Sequence, residues 1–381
     1  MKGSLIHYFL FLSFLSCSSL NAGNVKTEFA VVSDIHVMAP SLLIREGKAF
    51  YDYVAHDRKM LKESPALMEE ITERLLQTHP QFILITGDLT KDGEAVSHRY
   101  LVDHYLNRFR QAGIKVLVIP GNHDVNNPHA VSFDGEEKAR VQTVSPEEFA
   151  DCYSDYGYRD ALARDPYSLS YVTAISDSLR ILAIDACKYE ENDFAKNTCV
   201  TGGRIKPETM EFIRKQVKEA QAKGVRLITM MHHGLIQHWK WQDKVMKEYL
   251  VDDWKKQAKA FAHSGIEVVF TGHFHAQDIV KRGPVYDIET GSTVTYPSPY
   301  RLVTLDGNRM TIRTERIDRI KTGLPDGVPL SDYAKKYAWE GIATIVSDMI
   351  PVSIPDTCKQ EAGRVVAAAY VAHLAGDEQW S

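Results

Sequence analysis

Five short runs of chemically capable residues stand out in this chain, and each closes an apolar stretch. They are Asp34-Ile35-His36, Gly87-Asp88, Gly121-Asn122-His123-Asp124, His232-His233-Gly234 and Gly272-His273-Phe274-His275. Carboxylates, imidazoles and one amide oxygen suit Zn, Mn or Fe better than soft, thiophilic metals. There are too many ligands here for one tetrahedral ion. Divided in two with one carboxylate shared, they make two sites. A metal pair about 3.5–4 Å apart is a known device for in-line displacement at phosphorus. Taken singly, each run has a plainer reading: a strand-end polar pair, a turn, a loop or a surface turn with one buried histidine. The chemical reading rests on all five standing at the same kind of position.

The elements that must hold these runs follow from the hydropathy pattern. Nearly continuous apolar stretches at residues 28–33, 82–86, 116–119, 180–184, 227–231 and 267–271 read as strands covered on both faces. Helical patterns lie between them. Residues 65–77 follow Ser64, an N-cap residue before Pro65. Residues 97–112 stop at Gly113, 207–223 at Gly224, and 244–263 before Gly265. Strand and helix alternating in this way predict an α/β layered domain. In open α/β sheets, ligands bind beyond the carboxyl ends of the strands, so the five runs should meet at one sheet edge. Residues 285–314, broken by Gly283-Pro284, Pro297, Pro299 and Asp306-Gly307-Asn308, read as an antiparallel finish. Two helical patterns at 331–349 and 356–374 form an appendage, with Tyr337, Ile342 and Ile345 on one apolar face and Val365, Ala369 and Leu374 on the other. Two long stretches, 37–63 and 125–165, interrupt the alternation just after a motif, and are expected to shape a substrate cleft.

The five runs in this order resemble the calcineurin-like metallophosphoesterases, over roughly residues 28–314. The resemblance implies a layered αββα sandwich carrying a C-terminal helical appendage. It implies that Asp34, His36 and His275 bind one metal, that Asn122, His232 and His273 bind the other, and that Asp88 bridges them. His232 is preferred to His233 because similar proteins place the first histidine of such a pair on the metal. His123 would not bind metal; it would stabilise or protonate the leaving oxygen, which is general-acid work. Asp124 would orient His123. Lys91 stands where purple acid phosphatases have a tyrosine, which speaks against a tyrosinate-bound ferric site, and the first-motif histidine absent from those enzymes is present as His36. Protein Ser/Thr phosphatases follow Gly-Asp with Asp-Arg-Gly and have Gly-Asn-His-Glu, whereas this chain has Leu89-Thr90-Lys91-Asp92-Gly93 and Asp124. The pattern is closer to the cyclic-nucleotide and glycerophosphodiester phosphodiesterases. The expected activity is therefore hydrolysis of a small phosphodiester by metal-activated water, with phosphomonoester hydrolysis as the alternative. A non-catalytic surface binding protein is disfavoured, since such a protein is expected to lose ligands or His123.

Composition sets the remaining limits. The 381 residues carry 45 Lys and Arg against 50 Asp and Glu, a net charge of −5, so no broad positive field exists to track nucleic acid. Lys2, an apolar run from Leu5 to Leu15 and small polar residues to Ala22 form a secretory signal pattern, too short to span a bilayer. Cys17 after Ser16 resembles a loose lipoprotein cleavage box, an alternative to plain cleavage near Ala22. The expected organisation is thus a signal at 1–22, a metallophosphoesterase domain at 25–315 and a helical extension at 316–381, in an exported chain that is periplasmic, extracellular or lipid-anchored. Membrane contact is expected only through such an anchor. Export permits disulfides among Cys152, Cys187, Cys199 and Cys358. Cys187 and Cys199, flanking a polar loop, are the best-placed pair; four unpaired, mostly buried thiols are the alternative. Tyr51, Tyr53, Trp239, Trp241, Tyr296 and Tyr300 lie in predicted loops, where they either stack on a base or sugar or simply pack. His98, His104, His238 and His263, outside the motifs, read as surface or helix histidines.

Overall fold

The apolar stretches become the strands of two face-to-face sheets. A computed structural model describes residues 10–13 and 26–376. Its first eight strands are β1 (Leu10–Ser13), β2 (Thr27–Val32), β3 (Leu43–Arg45), β4 (Phe82–Ile85), β5 (Lys115–Val118), β6 (Val131–Asp134), β7 (Glu137–Arg140) and β8 (Ala161–Arg164). The rest are β9 (Tyr171–Ser176), β10 (Leu179–Ile184), β11 (Arg226–Met231), β12 (Val268–Thr271), β13 (Asp278–Arg282), β14 (Val285–Glu289), β15 (Pro299–Asp306) and β16 (Arg309–Arg316). The helices are α1 (Lys48–Val54), α2 (Ser64–Thr78), α3 (Ala95–Leu101), α4 (Asn107–Gln111), α5 (Pro146–Cys152), α6 (Pro207–Ala222), α7 (Gln242–Val245), α8 (Trp254–Ser264), α9 (Leu330–Met349) and α10 (Asp356–Leu374).

One sheet runs β1-β16-β15-β2-β4-β5 and the other β13-β14-β12-β11-β10-β9-β8. Strands β2, β4 and β5 are parallel, as are β10, β11, β12 and β14, while the sheet margins are antiparallel. Alternation of side chains sorts the second sheet's residues into two layers. Ile181, Ala183, Ile228, Met230, Val268, Phe270 and Ile288 join Phe29, Val31, Phe82 and Leu84 in the central core. Their neighbours Leu182, Ile184, Met231 and Val269 pack instead with Ile213 and Val217 of α6 and Phe261 of α8. Phe29 ties the layers together: it stacks on Phe82 of its own sheet at 4.6 Å and meets Phe270 of the other edge-on at 5.6 Å.

The two long stretches are not irregular. They supply β3, α1, β6, β7 and α5, and β3 pairs with β6 in a small third sheet, so the two segments brace one another. The second predicted helix, residues 97–112, is one rod, α3 to α4, continued through a π turn at Val102–Leu106. Ser64 is not an N-cap; it lies inside α2, and its hydroxyl donates to Leu61 O while accepting from Met38 N–H. Helix α8 starts at Trp254, ten residues later than the pattern at 244 suggested, because the intervening chain wraps toward the strand ends as α7 and a 3₁₀ turn.

The appended helices dock on the core. Leu330 and Ala334 enter the central cluster, and Tyr333 donates to Glu63 at 2.8 Å. The face predicted for α10 was out of register. Val365 is 62% exposed and Ala369 is also exposed, while Gly363, Ala367, Val371 and Leu374 turn inward at helical spacing. The small residues allow α9 and α10 to approach closely, and they override the bulkier Val365 as the packing stripe. Cys152, Cys187, Cys199 and Cys358 are all free. The expected Cys187–Cys199 pair is absent because Cys187 points to Pro120 O and Cys199 to Asn127 and His129. Cys17 and the cleavage region near Ala22 lie outside the described residues. Among the described residues no helix is long and apolar enough to cross a membrane.

Phe29→Ala should lower the unfolding free energy by about 3–5 kcal/mol, since it opens a cavity between two sheets. Urea denaturation followed by tryptophan fluorescence checks this; a loss below about 1 kcal/mol would mean that the sheets are not held together there.

Candidate metal centre

Each of the five motifs sits where a parallel strand ends. Asp34 and His36 follow β2, Asp88 follows β4, Asn122 and His123 follow β5, His232 follows β11, and His273 and His275 follow β12. The backbone there is bent out of the extended form. Asp34, His36, Asp88, His273 and His275 all have left-handed φ values, +49°, +38°, +49°, +75° and +69°. Such a conformation costs a non-glycine residue roughly 1–2 kcal/mol. Hydrogen bonds between neighbouring strand ends offset that strain. Asp34 N–H donates to Gly87 O (3.1 Å), His36 N–H to Asp88 O (2.9 Å) and Gly272 N–H to His232 O (3.0 Å). Gly272 is required by close approach, since a Cβ there would stand 1.9 Å from Ser33 Oγ and 2.5 Å from Asp34 Oδ2.

The side chains converge in two groups that could each hold a metal ion: Asp34, His36, Asp88 and His275, and Asp88, His232 and His273. Asp88 belongs to both. Its Oδ2 lies 3.5 Å from His36 Nε2 and 3.4 Å from His232 Nε2. His275 Nε2 is 3.3 Å from Asp34 Oδ1 and 3.2 Å from His36 Nε2. Asn122 Oδ1 joins the second group, 3.1 Å from His232 Nε2. All seven side chains are buried.

This donor set fits a metal pair. His36 and His275 bring ring nitrogens together, yet the Nδ1 atoms of both are buried without a partner. His232 gives Nδ1–H to Thr86 O at 2.9 Å, so Nε2 is the ring atom turned toward Asp88 and open to a metal once deprotonated. His273 bonds Glu248 O through Nε2, which leaves Nδ1 free for a cation. Burial keeps His36 and His273 well below the usual imidazole range and His275 at about 4, so all three are neutral, the state that ligates. Burial also presses on His232, but Asp88 outweighs it and raises that ring to about 9. His233 turns away to Thr201 O and lies against His273 with ring centroids 4.4 Å apart.

The orienting carboxylate beside His123 is Asp92 and not Asp124. Asp92 Oδ1 is 2.8 Å from His123 Nδ1. Asp124 is fully committed elsewhere: its two oxygens accept from Leu89 N–H, Thr90 N–H, the Thr90 hydroxyl and Gly121 N–H, at 2.8–3.0 Å. It ties the Gly-Asp loop to the Gly-Asn-His-Asp loop. Asp92 is in turn held by Lys91 (2.7 Å) and by the Tyr53 hydroxyl (2.5 Å), and Lys91 also pairs with Glu94 at 2.8 Å. Burial disfavours the charge on Asp92, yet Lys91 and His123 keep its carboxyl well below the usual range. Burial and Lys59 press His123 toward its neutral form; Asp88 and Asp92 outweigh them and raise its pKa. Unlike the seven candidate ligands, His123 keeps 25% of its side chain exposed, and its Nε2 is left for a ligand.

Other residues fall differently from expectation. His238 is not at the surface; it is buried among Asp278 (2.9 Å), Glu289 (3.3 Å) and Asp287 (3.6 Å). His98 is buried too, on α3, between the Tyr153 hydroxyl and Asp124 O, whereas His104 and His263 are exposed. Tyr300 packs in the core and Tyr51 bonds Glu46, so neither reaches the centre, and Trp241 is 62% exposed. Asp92 was legible in retrospect, from an acid four residues past Asp88 that is followed by glycine.

Residues 27–277, well over half of the chain, match the family model described as calcineurin-like phosphoesterase. Among solved structures, a dimetal phosphatase from Danio rerio is similar at 11% identity and a TM-score of 0.52, over 76% of this chain and 96% of that one. GAP50, the anchor in the inner membrane complex of Plasmodium, is similar at 10% identity and a TM-score of 0.43, over 87% of this chain and 99% of its own. No curated protein matches the chain by sequence.

Two substitutions separate the parts of this centre. Asp88→Ala removes the carboxylate common to both groups, and should reduce bound metal, read by atomic emission, to less than about half of the wild-type value. Asp92→Asn removes an attraction that raises the His123 pKa. If His123 acts as an acid, activity is lost as pH rises through that pKa, so the alkaline limb of the kcat/KM profile should move to lower pH with metal content unchanged. An unmoved limb would show that Asp92 does not govern His123.

Proposed function

The chain belongs to the calcineurin-like phosphoesterases, and from that premise we propose that it hydrolyses a small phosphodiester outside the cytoplasm, with two metal ions held by Asp34, His36, Asp88, Asn122, His232, His273 and His275. The observation that carries this reading is the shared carboxylate. Asp88 stands between two groups of imidazoles and acids, with His123 at the open side. When bound, such a pair of ions acidifies a water for attack and neutralises charge growing on the phosphoryl oxygens. The mixed nitrogen and oxygen donors admit Mn, Fe or Zn.

The chain's own residues supply the rest. Asp88 Oδ1 accepts His123 N–H at 3.0 Å, which fixes the backbone of the catalytic histidine to the candidate bridging group. Asp92 holds the Nδ1 proton of His123, so the second proton of the cationic ring resides on Nε2. From there it passes to the leaving oxygen, whose alkoxide form is a poor leaving group at neutral pH. An alcohol departs from monoesters and diesters alike, so the diester reading rests on the Gly87-Asp88-Leu89-Thr90-Lys91-Asp92-Gly93 sequence after β4. Export rests on the secretory signal pattern of residues 1–22.

Hydrolysis of bis(p-nitrophenyl) phosphate beside p-nitrophenyl phosphate, after chelation and after return of Mn, Zn or Fe, tests the reading. Metal-restored cleavage with the diester preferred is the expected result, and preference for the monoester would make the protein a phosphatase. His123→Ala should lower kcat by at least about 100-fold with metal content intact; full turnover in that variant would overturn the assigned mechanism.

A further inference from the structure

The segment between β2 and α2 carries two cations to this centre. Arg58 and Lys59 lie in a turn closed by Asp57, whose Oδ1 accepts from both backbone N–H groups, at 2.7 and 3.0 Å. The turn is fixed on one side by Met60 N–H donating to Val294 O at 2.8 Å. Val294 is two residues from Ser292, whose hydroxyl holds the carbonyl of Asp34. On the other side lies α9, with no room to spare: a Cβ on Gly341 would stand 2.1 Å from Asp57 O. The C-terminal hairpin therefore presses the two cations into place.

Lys59 keeps only 8% of its side chain exposed, and its one ion pair among the described residues is a long one, 3.5 Å to Asp57. Its neighbour Met60 ties it to the Val294–Ser292 loop that holds the carbonyl of Asp34. Arg58 is less satisfied still. Its Nε is buried without a hydrogen-bond partner, and its Nη2 reaches only the Tyr249 hydroxyl, at 3.5 Å. Its guanidinium lies 5.7 Å from the ring centre of Tyr370 of α10, and no carboxylate among the described residues pairs with it. Tyr249 lies against His273, with ring centroids 4.7 Å apart, so Arg58 is one ring removed from a candidate ligand. Arg58 as a whole is half-buried, and a guanidinium partly drawn out of water without an acid is unfavourable. A site that awaits an oxyanion accounts for it, because the guanidinium fork pairs two oxygens at once.

We propose that Arg58 and Lys59 form an anion-binding site of the substrate. Lys59 contacts the phosphoryl group to be cleaved, and Arg58 takes a second oxyanion, a carboxylate or phosphate, on the same molecule. This rests on the phosphoesterase reading above, and narrows the substrates to phosphate esters that carry a further acidic group.

Calorimetric titration of the metal-loaded full chain with three probes tests it. Glycerol 3-phosphate has no second anion, 3-phosphoglycerate adds a carboxylate, and glycerol 1,3-bisphosphate adds a phosphate. The wild type should bind one or both of the last two at least about tenfold more tightly than the first, and the larger gain identifies the oxyanion. Arg58→Gln should abolish that gain. Lys59→Met should weaken all three by about tenfold or more. Gly341→Val, which displaces the turn and keeps both charges, should reduce the gain as Arg58→Gln does. Metal content should stay at the wild-type value in each variant. Equal affinity of the wild type for all three probes would overturn the second-anion site without any variant. A gain that survives Arg58→Gln would do the same, and unchanged binding by Lys59→Met would overturn the phosphoryl contact. A wild type that binds no metal would instead remove the phosphoesterase reading, so the two failures are read separately.

Discussion

One carboxylate holds the two halves of the centre in register. Asp88 leaves the end of β4, the middle of the three parallel strands of its sheet, and its two oxygens divide their contacts between the sheets. Oδ1 takes the backbone of His123, while Oδ2 stands between His36 of the same sheet and His232 of the other. A buried carboxylate so placed is unfavourable unless positive charge meets it. Burial disfavours its ionised form, but the surrounding imidazoles, His232 foremost, keep its carboxyl well below the usual range. The order of the strands, the bends at their ends and the packing of Phe29 on Phe270 all serve to bring those imidazoles to one point.

That convergence opposes local preference and is stabilised by long-range bonding. Strand-end residues with left-handed backbone are held by hydrogen bonds to the next strand end, not by their own sequence neighbours. The rest of the molecule adds further braces. Asp124 ties two motif loops together, and β3 pairing with β6 ties the two long segments that flank them. Such sharing means that most of the centre's geometry is set by contacts between residues far apart in the chain.

The sequence showed the elements whose signal is local. Runs such as Phe82-Ile83-Leu84-Ile85 are continuous and apolar because both faces of β4 are covered, and the structure places strands within one or two residues of the predicted bounds. The motif residues are adjacent to those runs, so their types and positions were visible together. What depended on packing was hidden. Asp124 follows His123 directly and seemed the natural partner, but the contact is made by Asp92, 31 residues earlier in the chain. Val365 and Ala369 formed an apolar stripe, but the close approach of α9 and α10 selected the smaller residues. His238 looked like a surface histidine because the acids that enclose it come from β13 and β14, forty residues on and more. Arg58 and Lys59 sat in a stretch with no periodicity, and only the hairpin at the other end of the chain gives their position a meaning.

The left-handed backbone at Asp34, His36, Asp88, His273 and His275 also bears on how such a chain can drift under selection. Asparagine and glycine occupy that conformation with little penalty, whereas valine, isoleucine and threonine do not. Neutral drift at these five positions is therefore channelled: an Asp-to-Asn change discards the charge and keeps the bend, while a β-branched replacement disturbs the strand ends themselves. A descendant that had given up chemistry but still needed the fold as a scaffold would carry asparagine or glycine at these bends. The backbone would thus preserve the outline of the site after its ligands had gone.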